Sequence, residues 1–199
     1  MQSRNLVLTV ASVLLLFVLV AGGSWLMDRR RWNAHRAETA CLSNTKRLAI
    51  AMRTYAADHD ARLPSAATWC DDLLPNLNSG NDFICPLGPD ARATYAMNRW
   101  LDEVQIQGLD PESPYDEAAG KIPDPASGEA VDPAEVVMII EGPGGWNLSG
   151  GPEAVRYRHN DGANFGFADG HARWGRSDRV YEWRWPHKLA SHPDNVQTQ

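Results

Sequence analysis

The chain has 199 residues with 19 Lys and Arg against 25 Asp and Glu, a formal net charge of -6. Such a balance lacks the basic footprint of a nucleic-acid binder, so no nucleic-acid partner is expected. Beyond residue 60 about 140 residues remain, the size of one domain around a single core.

Residues 6–27 form a 22-residue stretch without a charged side chain. About 20 apolar residues suffice for a helix to cross the hydrocarbon core of a bilayer. Asp28 and then Arg29, Arg30 and Arg31 end the stretch, and Trp25 and Trp32 stand where interfacial aromatics collect. The competing reading is a cleavable secretory signal with its apolar region at 6–20 and a small-residue site at 21–23. Signals have apolar regions of only ~7–15 residues, so residues 1–27 are read as an anchor.

Residues 28–60 continue as an amphipathic helix. No Pro or Gly occurs between Arg29 and His59. Thr39, Leu42, Thr45, Leu48, Ala49, Met52, Tyr55 and Ala56 recur at three- and four-residue steps. Unbroken from residue 6 to 59, this helix would be about 80 Å long at ~1.5 Å per residue. The sequence Arg62-Leu63-Pro64 marks its stop. The stripe needs a partner, and the sheet of the following domain is the expected one.

The head is assigned to residues 61–186. Residues 69–77 read as a short helix or turn packing Trp69, Leu73 and Leu74. Residues 82–86 and 94–98 read as brief extended pieces. The acidic, proline-rich stretch 102–134 is expected to be a surface loop. Residues 135–141, EVVMIIE, read as a buried strand. Residues 155–174 read as a three-stranded antiparallel meander, because Asp161-Gly162 and Asp169-Gly170 are hairpin-turn pairs. Between them Ala163, Phe165 and Phe167 alternate with smaller residues at the period of a half-buried strand. Phe165, Phe167 and Trp174 are expected to pack against Leu48, Met52 and Tyr55 of the helix stripe. The polar tail 187–199 is expected to be disordered.

No P-loop, dinucleotide fingerprint, G-x-S-x-G or H-E-x-x-H occurs, so no enzyme activity is expected. In an extended meander, His159 and Asp169 would lie on the order of 17–20 Å apart. That is beyond the reach of an acid–base pair. Asp161 and Asp169 are therefore read first as turn residues. Their alternative is a calcium site, drawing on Asp161, Asp169 or the acidic residues 110–117, because hard cations take several loop oxygens. No spacing here matches a known calcium loop. Cys41, Cys70 and Cys85 suggest one disulfide and one leftover thiol, and the absence of CxxC leaves a zinc reading little support.

The string RHNDGANFGFADGHARW carries a resemblance. His159, nine residues, then Asp169-Gly170 is similar to the H-x9-DG signature of bacterial prepilin-type proteins. Three further pieces resemble that family in the same order: CLSNTKRL from Cys41, YAADHDARLP from Tyr55, and FICP ending at Pro86. The resemblance spans residues 41–174. It implies an α+β, pilin-like fold: a long N-terminal helix, transmembrane and then amphipathic, packed on a small antiparallel sheet. It also implies a non-catalytic subunit, a pilin or pseudopilin of a type II secretion or type IV pilus-like system. Its partners would be other pilin-like subunits or the secretion machinery. Cys85 is the expected disulfide member, with Cys41, which accompanies it in the family pattern, or Cys70 as its partner.

The sequence departs from the family in one respect. No Gly-Phe junction precedes the apolar run and no Glu lies within residues 6–27, so the usual prepilin leader is not recognisable. Arg29, Arg30 and Arg31 after the apolar run would by the positive-inside count hold the head in the cytoplasm. The cysteines and the resemblance favour export instead. The expected location is thus the inner membrane, single-pass, with the head exported. A membrane-tethered binding module for calcium, glycan or peptide is the alternative, and a hydrolase with an unrecognised site ranks last.

Overall fold

The computed structural model describes residues 2–106, 121–123 and 129–185, the side chains of 2–14, 30, 31 and 123 excepted. The contacts divide the chain after Glu38 into two units. Helix α1, Gln2–Asp58, contributes to both.

In the first unit, the six consecutive side chains Leu15, Leu16, Phe17, Val18, Leu19 and Val20 are each 62–70% exposed. Six positions at 3.6 per turn sample the whole circumference, so this stretch is apolar all round. Trp25, Leu26, Met27 and Trp32 are exposed as well, and the Arg29 guanidinium lies 5.3 Å from the Trp25 ring. Among the described residues no helix is long and apolar enough to cross a membrane. Residues 6–14 of the expected span have no described side chains.

The second unit begins at Thr39. Helix α1 ends at Asp58 because Asp60 and Ala61 take positive φ of 53° and 60°. The Ala61 N–H then turns back to the Ala56 carbonyl at 2.8 Å, closing the helix end as left-handed caps do. Helix α2, Trp69–Leu73, follows and buries Trp69, Cys70 and Leu73. The segment expected to be extended at 82–86 instead enters through a 3-10 turn, Gly80–Phe83, capped by the Ser79 hydroxyl.

The strands are β1 (Tyr95–Asn98), β2 (Ile122–Pro123), β3 (Ala130–Val131), β4 (Val137–Glu141), β5 (Ser149–Gly150), β6 (Gly162–Phe167) and β7 (Ala172–Arg176). Five form one sheet in the order β5-β1-β4-β6-β7. The sheet is mixed rather than antiparallel throughout, because β1 and β5 run parallel. Within the acidic stretch β2 and β3 pair with each other. Residues 107–120, like the tail 187–199, lie outside the described residues.

Two of the three expected meander strands are present, as the β6–β7 hairpin. The segment before Asp161 contributes only a bridge, His159 to Gly162, and the neighbour on the other side of β6 is β4. The first turn is also shifted by one residue from expectation. Asn160 and Asp161 carry the positive φ, 50° and 60°, while Gly162 opens β6. Gly170 has φ 92° at the second turn, as the Asp-Gly pair predicts.

The sheet separates two cores. On one face Leu48, Ala49 and Met52 of α1 join Tyr95, Met97, Met138, Ile139 and Ala168. On the other, Val137, Ile140, Ala163, Phe165 and Phe167 join Val155, Val180 and Trp185. Met138 and Ile139 share a face because the β4–β6 register shifts between Val137 and Ile139, the signature of a bulge.

Phe165 and Phe167 therefore do not pack on the helix stripe, contrary to expectation. They meet Trp183 edge to face, with ring centroids at 4.3 and 5.5 Å. What β6 offers α1 is its small side: a Cβ built on Gly166 would stand 3.1 Å from the Ala49 Cβ and 3.2 Å from the Ile139 Cβ. The helix backbone can approach only where β6 has no side chain. Tyr55 is half-buried and stacks on His59, centroids 3.8 Å apart. Trp174, 40% exposed on edge strand β7 opposite Asn164, donates its indole N–H to the His159 carbonyl at 2.7 Å.

Candidate functional site

The buried polar cluster of the second unit is built where α1, the 80–86 segment, β4 and β6 converge. Glu141 closes β4 and is fully buried. His159 sits immediately before the turn into β6 and is 2% exposed. Its Nε2 lies 2.6 Å from Glu141 Oε1. The same oxygen accepts from Asn164 Nδ2 of β6 at 2.9 Å. Glu141 Oε2 and His159 Nδ1 are buried and have no hydrogen-bond partner among the described residues.

Above this pair lies a disulfide between Cys41 of α1 and Cys85, two of the three candidate cysteines. Cys85 Sγ is 3.5 Å from His159 Nε2. One ligand atom from each of Cys41, Cys85, Glu141 and His159 lies within 4.8 Å of the other three.

The surrounding bonds fix the cluster in place. The Tyr95 hydroxyl donates to the Cys41 carbonyl at 3.1 Å, and burial pushes its phenol pKa well up, so it stays a donor. The Cys85 N–H donates to Thr94 Oγ1 at 2.6 Å, and Asn44 Nδ2 to the Ile84 carbonyl at 2.8 Å. The Trp174 indole N–H holds the His159 carbonyl at 2.7 Å. Arg158 donates to the Gly142 carbonyl. Burial lowers the Arg158 pKa, and the Glu141 charge opposes that effect.

The other end of the motif is a separate assembly. Asp169 Oδ1 accepts from the His171 backbone N–H at 2.9 Å and lies 2.6 Å from His171 Nδ1. Burial raises the Asp169 pKa, but its two bonds to His171 and the His171 and Arg53 charges outweigh that and hold it below the ordinary value. Arg53, buried on α1, donates to the Ala168 carbonyl at 2.9 Å. The nine residues between His159 and Asp169 are a two-residue turn, the six residues of β6, and Ala168. The motif thus measures one strand with its two turns, docked on β4 at the His end and on α1 at the Asp-Gly end.

His159 and Asp169 have separate partners and form no catalytic pair. Asp161 is an exposed turn residue, and neither it nor Asp169 belongs to a group of donors able to hold a cation among the described residues. The calcium reading gains nothing from either; residues 110–117 lie outside the described residues. Cys70 is the free thiol, buried beside Asn147. Sequence reasoning missed Glu141 and Asn164. A charge closing five apolar positions reads as a strand boundary, and only the pairing of β4 with β6 turns it into a buried partner of His159.

Comparison with family models, with curated proteins and with solved structures finds no match to this chain.

Proposed function

We propose that this chain is a non-catalytic, pilin-like structural subunit of a type II secretion or type IV pilus-like system. In this reading residues 6–27 are its membrane anchor and the head is exported. The observation that carries the reading is the sleeve of six consecutive apolar side chains, Leu15 to Val20, exposed around the full circumference of α1. An apolar surface of that kind requires lipid or neighbouring apolar helices to cover it. The same helix, from Cys41 onward, is tied by the disulfide to the 80–86 segment and packed on a small sheet, an arrangement suited to transmitting load rather than to turnover. The H-x9-DG strand is pinned at both ends, which supports a scaffolding role for the motif.

The test is fractionation of cells producing the full chain. The protein is expected in the membrane pellet after alkaline carbonate extraction, with its head digested by protease added from the periplasmic side. Recovery in the soluble fraction, or a head protected in spheroplasts, would overturn the anchor and its orientation.

A tethered binding module remains the second reading. It is favoured by a cleft on β7 lined by Arg173, Trp174, Gly175, Arg176, Arg179, Glu182 and Trp183, in which Arg179 is paired with Glu182 at 2.9 Å and the Arg173 guanidinium lies 4.9 Å from the Trp183 ring. Cationic and aromatic side chains of this kind suit an acidic glycan or peptide.

A further inference from the structure

We propose that Cys41, Cys85, His159 and Glu141 form a redox-gated site for a zinc-class divalent cation, which binds when the Cys41–Cys85 disulfide is reduced. Two sulfurs, one imidazole nitrogen and one carboxylate oxygen are a donor set that zinc accepts in tetrahedral structural sites. The four donor atoms already lie within 4.8 Å of one another. At zinc–ligand distances of 2.0–2.3 Å, tetrahedral ligands stand about 3.3–3.8 Å apart. Rotation of the two freed cysteines, together with separation of His159 Nε2 from Glu141 Oε1, which stand 2.6 Å apart in the oxidised chain, supplies the remaining adjustment.

Two observations point to a ligand beyond proximity alone. Glu141 is a fully buried carboxylate whose Oε2 has no hydrogen-bond partner among the described residues. Leaving such an atom unpaired is costly, and a cation satisfies it directly. His159 presents Nε2, the atom a metal would take, to both Cys85 and Glu141. Calcium is disfavoured, because thiolate is a poor ligand for a hard cation.

The chemistry balances with a thiol or phosphine reductant as the electron donor. Two electrons and two protons convert the disulfide to two thiols while the reductant is oxidised. The cation then displaces both thiol protons to solvent, and the imidazole proton moves from Nε2 to Nδ1. Two thiolates, one carboxylate and a divalent cation leave one net negative charge. Asn164 keeps its bond to Glu141 and orients the carboxylate. Both states join α1 to the 80–86 segment, by a covalent bond when oxidised and through the metal when reduced. The helix would thus be tied to the sheet before export, in a reducing compartment, as well as after it.

The experiment titrates cobalt(II) into the full chain in detergent, reduced with a phosphine under anaerobic conditions. Expected is a thiolate-to-cobalt charge-transfer band with tetrahedral visible bands, saturating at one equivalent and abolished by zinc. Oxidised protein should show neither. Cys70→Ser should bind as the wild type does, whereas His159→Gln and Glu141→Gln should each weaken binding about tenfold or more. Zinc should also raise the melting temperature of the reduced wild-type chain, a readout independent of any substitution. Absence of the thiolate band from the reduced wild type would overturn the proposal. Unaltered affinity in both the His159 and Glu141 variants, or loss of binding in Cys70→Ser, would overturn it equally.

Discussion

His159 Nε2 and Glu141 Oε1 meet at 2.6 Å with both side chains shut off from solvent, 18 residues apart in sequence, one just before the turn into β6 and the other closing β4. This contact joins the start of β6 to the end of β4 and sets the floor on which the disulfide rests.

Truncating one member of such a pair strands the other. His159→Ala is expected to cost about 3–5 kcal/mol, because an uncompensated carboxylate stays buried. Replacing both, Glu141→Leu with His159→Phe, should cost less than the two single changes combined. Urea denaturation of the four proteins in a double-mutant cycle measures the coupling, and additive single effects would refute it.

Gly166 is where α1 comes closest to the sheet. Gly166→Ala should destabilise by about 1–3 kcal/mol through overpacking against Ala49 and Ile139. Adding Ala49→Gly should recover part of the loss, since it removes one of the two methyl-level contacts. Equal stability of Gly166→Ala and wild type in denaturant titrations would show that the helix can shift away.

The disulfide closes a separation of 44 residues. Reduction with a chelator present should cost roughly 2–5 kcal/mol, seen as a lower melting temperature. The oxidised native chain should yield no titratable thiol, because Cys70 is buried and burial pushes its pKa to about 12. Unfolding the oxidised chain should release one. Two or more thiols in that sample would contradict the Cys41–Cys85 pairing.

Asp169 gives an acid-side dependence. Its folded-state pKa lies below the unfolded value, so its contribution is present above the ordinary carboxylate value of ~3.9 and is lost as pH falls through the folded value. Wild type should therefore lose stability faster than Asp169→Asn between neutral pH and pH ~3. Denaturation midpoints across that range test it; parallel curves would assign the acid sensitivity elsewhere.

The sequence was informative where the signal is local. The helix from residue 6 through the stripe, its end before Pro64, the strand near 135–141 and the second Asp-Gly turn are all visible as periodicity or turn chemistry. The first turn was misplaced by one residue because Asn160 and Asp161 both tolerate positive φ, which leaves Gly162 free to enter the strand.

Period two placed Ala163, Phe165 and Phe167 on one face of β6 without saying which face meets the helix. That choice is made by volume. Helix α1 can approach only the side bearing Gly166, while the aromatics require the indole of Trp183, a residue whose role the strand pattern does not announce. The pairing of Cys41 with Cys85, and of Glu141 with His159, belongs to the same class of fact. The resemblance left Cys41 and Cys70 both open as partners of Cys85, and each pairing is settled where packing helix on sheet brings the atoms to one point, which the whole chain decides at once.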